Sequence, residues 1–203
     1  LCFSGGFLLA TLLPHRIPEI FEHGNWNMGW WIMLGFAIQL LLDHLSEGLE
    51  HGHFHSKQSK IPWLAISGLL LHAFLEGMPL SSTGYSGHNH ATGGFLWAIA
   101  LHKLPIALLV TGALRKSGVR LATLLGILGL FAFATPLGAL VVNRVDVEQW
   151  SLQLLAIAVG ILLHVSTTIL FESSQNHRFN AVKLIFVLAG MLLAGWINSG
   201  MIL

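Results

Sequence analysis

An all-α, polytopic membrane protein is the fold class this sequence predicts, and three observations predict it. The chain is 54% apolar with only 9% charged residues, against about 25% charged in ordinary soluble domains. Its apolar residues fall into runs of about 20, the length a helix needs to cross about 30 Å of hydrocarbon. The connections between runs are short, the longest being residues 47–61, so no soluble domain fits between them. The whole chain, 1–203, therefore reads as a single transmembrane domain.

Seven spans are expected, at 1–21, 28–46, 62–80, 93–114, 119–142, 150–172 and 181–203. Gly5-Gly6 in the first suggests close helix packing, and Pro14 and Pro18 loosen its far end, where His15, Glu19, Glu22 and His23 gather. The second ends in D-H-L-S-E-G-L-E, with Asp43, His44 and Glu47 sharing a face at helical spacing, and runs into the loop 47–61, where His51, His53 and His55 alternate. Such a tract is compositional evidence for weak metal binding. Pro79, Pro105 and Pro136 bend or break the third, fourth and fifth spans, each freeing a backbone carbonyl. His164 lies within the sixth. A glycine-led G-F-L-L in the first span and G-I-L-L in the sixth run in opposite directions, a hint of an inverted repeat.

Lys and Arg in short loops set orientation. Lys57, Lys60, Arg115, Lys116, Arg120, Arg178 and Lys183 fall on one side and Arg16 and Arg144 on the other. The first set marks the cytoplasm, so residue 1 is expected inside and the C-terminus outside. A plasma membrane, or a bacterial inner membrane, is the expected location. No signal peptide is visible, and one cysteine, Cys2, excludes an internal disulfide and a thiolate metal cluster. A net charge of +1 gives no electrostatic basis for binding nucleic acid.

The chemistry is expected where charge is most expensive. L-H-A-F-L-E-G-M-P (71–79) and A-L-H-K-L-P (100–105) place His72, Glu76, His102 and Lys103 at membrane depth. An ionisable side chain there costs roughly 2.5–3.5 kcal/mol on insertion scales. His72 and Glu76, four apart, share a helix face. Imidazole with carboxylate is a ligand set for Zn²⁺ or a similar divalent ion. The competing structural reading pairs Glu76 with Lys103 as a buried ion pair without metal, and leaves two histidines beside it unexplained.

These motifs resemble the ZIP family of divalent-metal transporters over essentially the whole chain. H-A-F-L-E-G is similar to that family's fourth-helix H-N-x-x-D/E-G, and H-K-L-P to its fifth-helix H/Q-D/E-x-P-E/H. Supporting likenesses are G-G-F-L-L-A-T-L-L-P-H-R-I-P-E to the second helix, P-L-G-A-L to the sixth, G-I-L-L-H-V…F-E to the seventh and G-M-L-L-A-G to the eighth. The family has eight helices with both ends outside. Seven spans with residue 1 inside fit that frame if the first helix is absent from this sequence.

The resemblance implies an ion held by His72, Glu76 and His102, an entrance at His15, Glu19 and His23, and an exit past Asp43, His44, His51, His53, His55 and His164. The ion is expected to be Zn²⁺, carried as substrate toward the cytoplasm, with Cd²⁺, Fe²⁺ and Mn²⁺ as other candidates, and helix groups are expected to slide past one another as in an elevator. The departures concern a second metal site found in binuclear members. Ala73 replaces an Asn, Lys103 an acid, Ile106 a Glu or His, and Thr135 an acid before proline, so that site reads as dismantled. Expected partners are the ion and membrane lipid, with a homodimer left open. Two alternatives are an intramembrane zinc hydrolase, opposed by the absence of H-E-x-x-H, and a non-transporting metal sensor.

Overall fold

The computed structural model describes residues 1–45, 63–81, 89–144, 148–172 and 181–200. The described residues form α1 (Cys2–Thr11), a π-helical turn (Leu12–Arg16), α2 (Ile17–His23), α3 (Met28–Leu45), α4 (Trp63–Gly77), a 3₁₀ turn (Met78–Leu80), α5 (Asn89–Lys116), α6 (Leu121–Arg144), a 3₁₀ turn (Glu148–Trp150), α7 (Ser151–Glu172) and α8 (Ala181–Gly200). Six of these segments, from α3 onward, are long and apolar enough to cross a membrane. The chain is an all-α, multi-pass membrane protein.

The expected first span runs as far as His23 but is not one regular helix. Pro14 falls in the π turn and Pro18 in the first turn of α2. A proline lacks the N–H that would continue the ladder, and a π turn absorbs the mismatch. The third span also differs from expectation. Pro79 does not kink a continuing helix, because α4 stops at Gly77 and Pro79 sits in the 3₁₀ turn that follows. Pro105 and Pro136 do lie inside α5 and α6. At the far end of α5, Gly118 takes φ 72°, and the Gly118 and Val119 N–H groups donate to the Arg115 and Leu114 carbonyls, a Schellman closure.

Helix pairs approach through glycines placed reciprocally. A methyl on Gly6 of α1 would strike the Val187 carbonyl of α8, and one on Gly190 of α8 would strike that of Phe3. Gly35 of α3 and Gly160 of α7 face the Ile157 and Ile32 carbonyls in the same way, and Gly77 and Gly138 face those of Thr135 and Phe74 between α4 and α6. These are the three most extensive pairings in the fold. In lipid there is no hydrophobic drive between helices, so close backbone approach through small residues supplies the packing. The α1–α8 and α3–α7 contacts exchange if α1 is swapped with α7 and α3 with α8. Gly5 meets Ile169, and Gly24, just past α2, meets Leu152, so the first span and α7 run antiparallel.

The buried apolar side chains form two clusters. One joins Phe7, Leu8 and Leu12 to Ala156, Val159 and Leu162 of α7, with Phe95 and Ile99 of α5. The other joins Ile66, Leu69 and Ala73 of α4 to Ile106 and Val110 of α5 and Ile127 and Phe131 of α6. Helix α5 contributes to both, and the polar site lies where α3, α4 and α5 meet.

Candidate metal centre

His72 and Glu76 lie on one face of α4, one turn apart, and α5 brings His102 and Lys103 against them. His72 Nε2 and His102 Nε2 each stand 2.8 Å from Glu76 Oε1, and Lys103 Nζ stands 2.8 Å from Glu76 Oε2. The His72, Glu76 and His102 side chains have no solvent exposure. Their three ligand atoms lie within 4.8 Å of one another, and they are the only such group of three or more among the described residues.

The orientation of each imidazole is set from behind. His102 Nδ1 is 3.1 Å from the Ala98 carbonyl one turn back on α5, an acceptor only, so Nδ1 carries the proton and donates. His72 Nδ1 is 2.7 Å from Oε1 of Gln39 on α3, and donates likewise. Rings so fixed turn their Nε2 atoms toward Glu76 Oε1. Lone pair against carboxylate at 2.8 Å requires a cation between them: a proton, or a metal ion. Ligand atoms around tetrahedral zinc sit roughly 3.3 Å apart, so an opening of about half an ångström admits the ion. Two imidazoles and a carboxylate leave a fourth position for water, the pattern of an exchangeable rather than a closed zinc site.

Lys103 occupies the other carboxylate oxygen. Its side chain is 15% exposed, and its Nζ also sits 4.8 Å over the Phe131 ring of α6, a cation–π contact. The remaining positions at which the resemblance implied a second metal site are filled by packing. Ala73 and Ile106 are fully buried in the apolar cluster. The Thr135 hydroxyl donates to the Ala73 carbonyl at 2.9 Å, next to the Gly77–Gly138 approach.

The other residues singled out by sequence are not gathered into such a set. Glu19 is held by Arg16 at 2.8 Å, and His23 Nδ1 lies 3.0 Å from the Glu19 carbonyl, while His15 is half-buried. Arg16 is itself buried and stacks 4.8 Å over Phe95 of α5. Asp43 is half-buried and His44 exposed, both in the last turn of α3. His164 is buried on α7 with its ring edge-on to Phe36, 4.8 Å between centroids. His51, His53 and His55, with the rest of the loop 47–61, lie outside the described residues.

Gln39 is the site residue that sequence reasoning missed. A lone amide inside the apolar run F-A-I-Q-L-L-L is a signal in its own right, since a polar side chain at membrane depth must find a partner.

The family model described as the ZIP zinc transporter matches residues 46–198, three quarters of the chain. It takes in α4 through nearly all of α8, and α1–α3 precede it. No curated protein and no solved structure matches the chain.

Proposed function

The chain belongs to the ZIP zinc transporter family, a family of divalent-metal transporters, and we propose that it carries one ion at a time, zinc first among them, toward the cytoplasm. The observation that carries this reading is the convergence of His72, Glu76 and His102 on one fully buried point. Two imidazoles with one carboxylate suit Zn²⁺ and Fe²⁺, and suit Mn²⁺, which prefers oxygen ligands, less.

Each residue then has a role that follows from its position. His72 and His102 replace the ion's water with directed lone pairs. Glu76 supplies the one negative charge, through Oε1. Lys103 neutralises that charge through Oε2 when no ion is bound, so the empty site is not a bare anion in a low dielectric. It also stands where a second cation would bridge, and with Ala73, Ile106 and Thr135 in the neighbouring positions the site holds a single ion. A loaded site of one carboxylate, one ammonium and one divalent ion keeps net positive charge, which favours release over storage.

The cytoplasmic side is assigned from the excess of Lys and Arg in the loops after α3, α5 and α7, which puts the C-terminus outside. Sliding of one helix group past another, as in an elevator, is the motion the resemblance implies. His15, Glu19 and His23 would meet ions at the outer end, while Asp43, His44, His164 and the loop histidines would receive them. Lipid covers outward side chains such as Trp30, Phe133 and Leu192, each more than two-thirds exposed.

Uptake of radioactive zinc by proteoliposomes containing the purified protein tests the proposal. Saturable uptake should be seen in the wild type and lost in His72→Ala, Glu76→Gln and His102→Ala. Zinc bound but never moved would favour a sensor over a transporter, and uptake undiminished in all three variants would refute the site.

A further inference from the structure

Gln39 is a fully buried amide within the apolar stretch Phe36–Leu42 of α3, and its Oε1 is 2.7 Å from His72 Nδ1. The two site histidines are thus oriented by different means. His102 is fixed by the Ala98 carbonyl of its own helix, which travels with it. His72 is fixed by a residue of another helix. That helix, α3, packs chiefly on α7, whereas α4 packs chiefly on α6.

We infer that Gln39 is a positioning residue of the metal site, holding His72 with its proton on Nδ1 and its lone pair toward the ion, and so tying ion affinity to the register of α3 against α4. With the acceptor in place, Nε2 is a ligand. With the acceptor withdrawn, the ring is free to carry its proton on Nε2. There Glu76 Oε1, 2.8 Å away, accepts it, and the site closes on its own hydrogen bond instead of on a metal. A displacement of α4 beyond hydrogen-bond reach of Gln39 therefore weakens the site at one histidine and leaves the other intact. Groups that orient a metal-bound histidine through its second nitrogen typically change affinity 10–100-fold. The inference rests on the single-ion reading above.

The test is a Co²⁺ titration of the purified full chain in lipid nanodiscs, with ¹⁵N NMR of the histidine rings in the ion-free protein. Gln39→Leu should bind Co²⁺ about 10–100-fold more weakly and shift the His72 ring from the Nδ1–H to the Nε2–H tautomer. Gln39→Glu, which keeps an acceptor, should restore binding to the wild-type level or above and retain the Nδ1–H tautomer. Unchanged Co²⁺ affinity in Gln39→Leu would overturn the inference, as would a Glu variant as weak as the Leu one. Should Gln39→Leu fail to fold, the wild-type spectrum still decides, because a His72 ring with no proton on Nδ1 contradicts the assignment. A wild type that binds no Co²⁺ would instead remove the single-ion reading, while the tautomer would still report whether Gln39 orients His72.

Discussion

Replacing Lys103 by Met should tighten ion binding without adding a second ion. Lys103 Nζ lies 2.8 Å from Glu76 Oε2, and unit charges at that distance attract by roughly 6 kcal/mol at an effective dielectric of 20. An ion about 2 Å from Glu76 Oε1 would stand about 5 Å from the ammonium, and a divalent charge there is repelled by roughly 6–7 kcal/mol on the same scale. Both effects oppose loading: the first stabilises the empty site, the second destabilises the full one. Partial exposure of the lysine reduces both, yet a fifth of the repulsion alone is roughly 1.4 kcal/mol, a factor of ten in Kd. We therefore expect Lys103→Met to lower the Kd for Zn²⁺ at least about tenfold at a stoichiometry of one. The ion-free variant should also unfold at lower temperature, because a buried carboxylate loses a partner, and added zinc should restore more stability than it does in the wild type. Isothermal titration and thermal unfolding in nanodiscs read both quantities. A folded Lys103→Met protein with unchanged or weaker affinity would refute the argument.

Other outcomes follow from the same geometry. Lys103→Asp with Ala73→Asn should raise metal content toward two ions per chain, measured by elemental analysis, since it replaces a cation and a methyl with two oxygen donors. Gly138→Ala should lower thermal stability by roughly 1–3 kcal/mol, because its methyl meets the Phe74 carbonyl of α4, and Gly126→Ala, where a methyl meets nothing within 4 Å, is the control. Replacing His51, His53 and His55 together should alter release into the cytoplasm while leaving the Kd at the buried site unchanged; loss of all uptake in proteoliposomes would contradict this.

Much of this arrangement was legible in the sequence because the membrane makes composition decisive. Apolar runs of fixed length gave the helices, and a His, a Glu, a His and a Lys within such runs had to find one another. The spacing of His72 and Glu76 put them on one helix face before any contact was known. What spacing does not carry is the partner across helices. Gln39 is 33 residues from His72, and nothing local joins them. The π turn at Leu12–Arg16 was hidden because proline announces a broken ladder without saying whether the chain kinks, stops or widens. Pro79 shows the same ambiguity, ending α4 where Pro105 and Pro136 leave their helices running. Arg16 reads as an interfacial charge in sequence, yet it is buried, because Glu19 and the face of Phe95 together replace its water.

An anomalous-scattering map of crystals soaked in Zn²⁺ or Cd²⁺ bears most directly on the single-ion site. The expected result is one peak at the junction of α4 and α5, about 2.0–2.2 Å for zinc from Nε2 of His72, Nε2 of His102 and a Glu76 oxygen, with Lys103 still on the other oxygen. Two peaks there in the wild type, or a peak elsewhere with the three side chains still closed on one another, would contradict it.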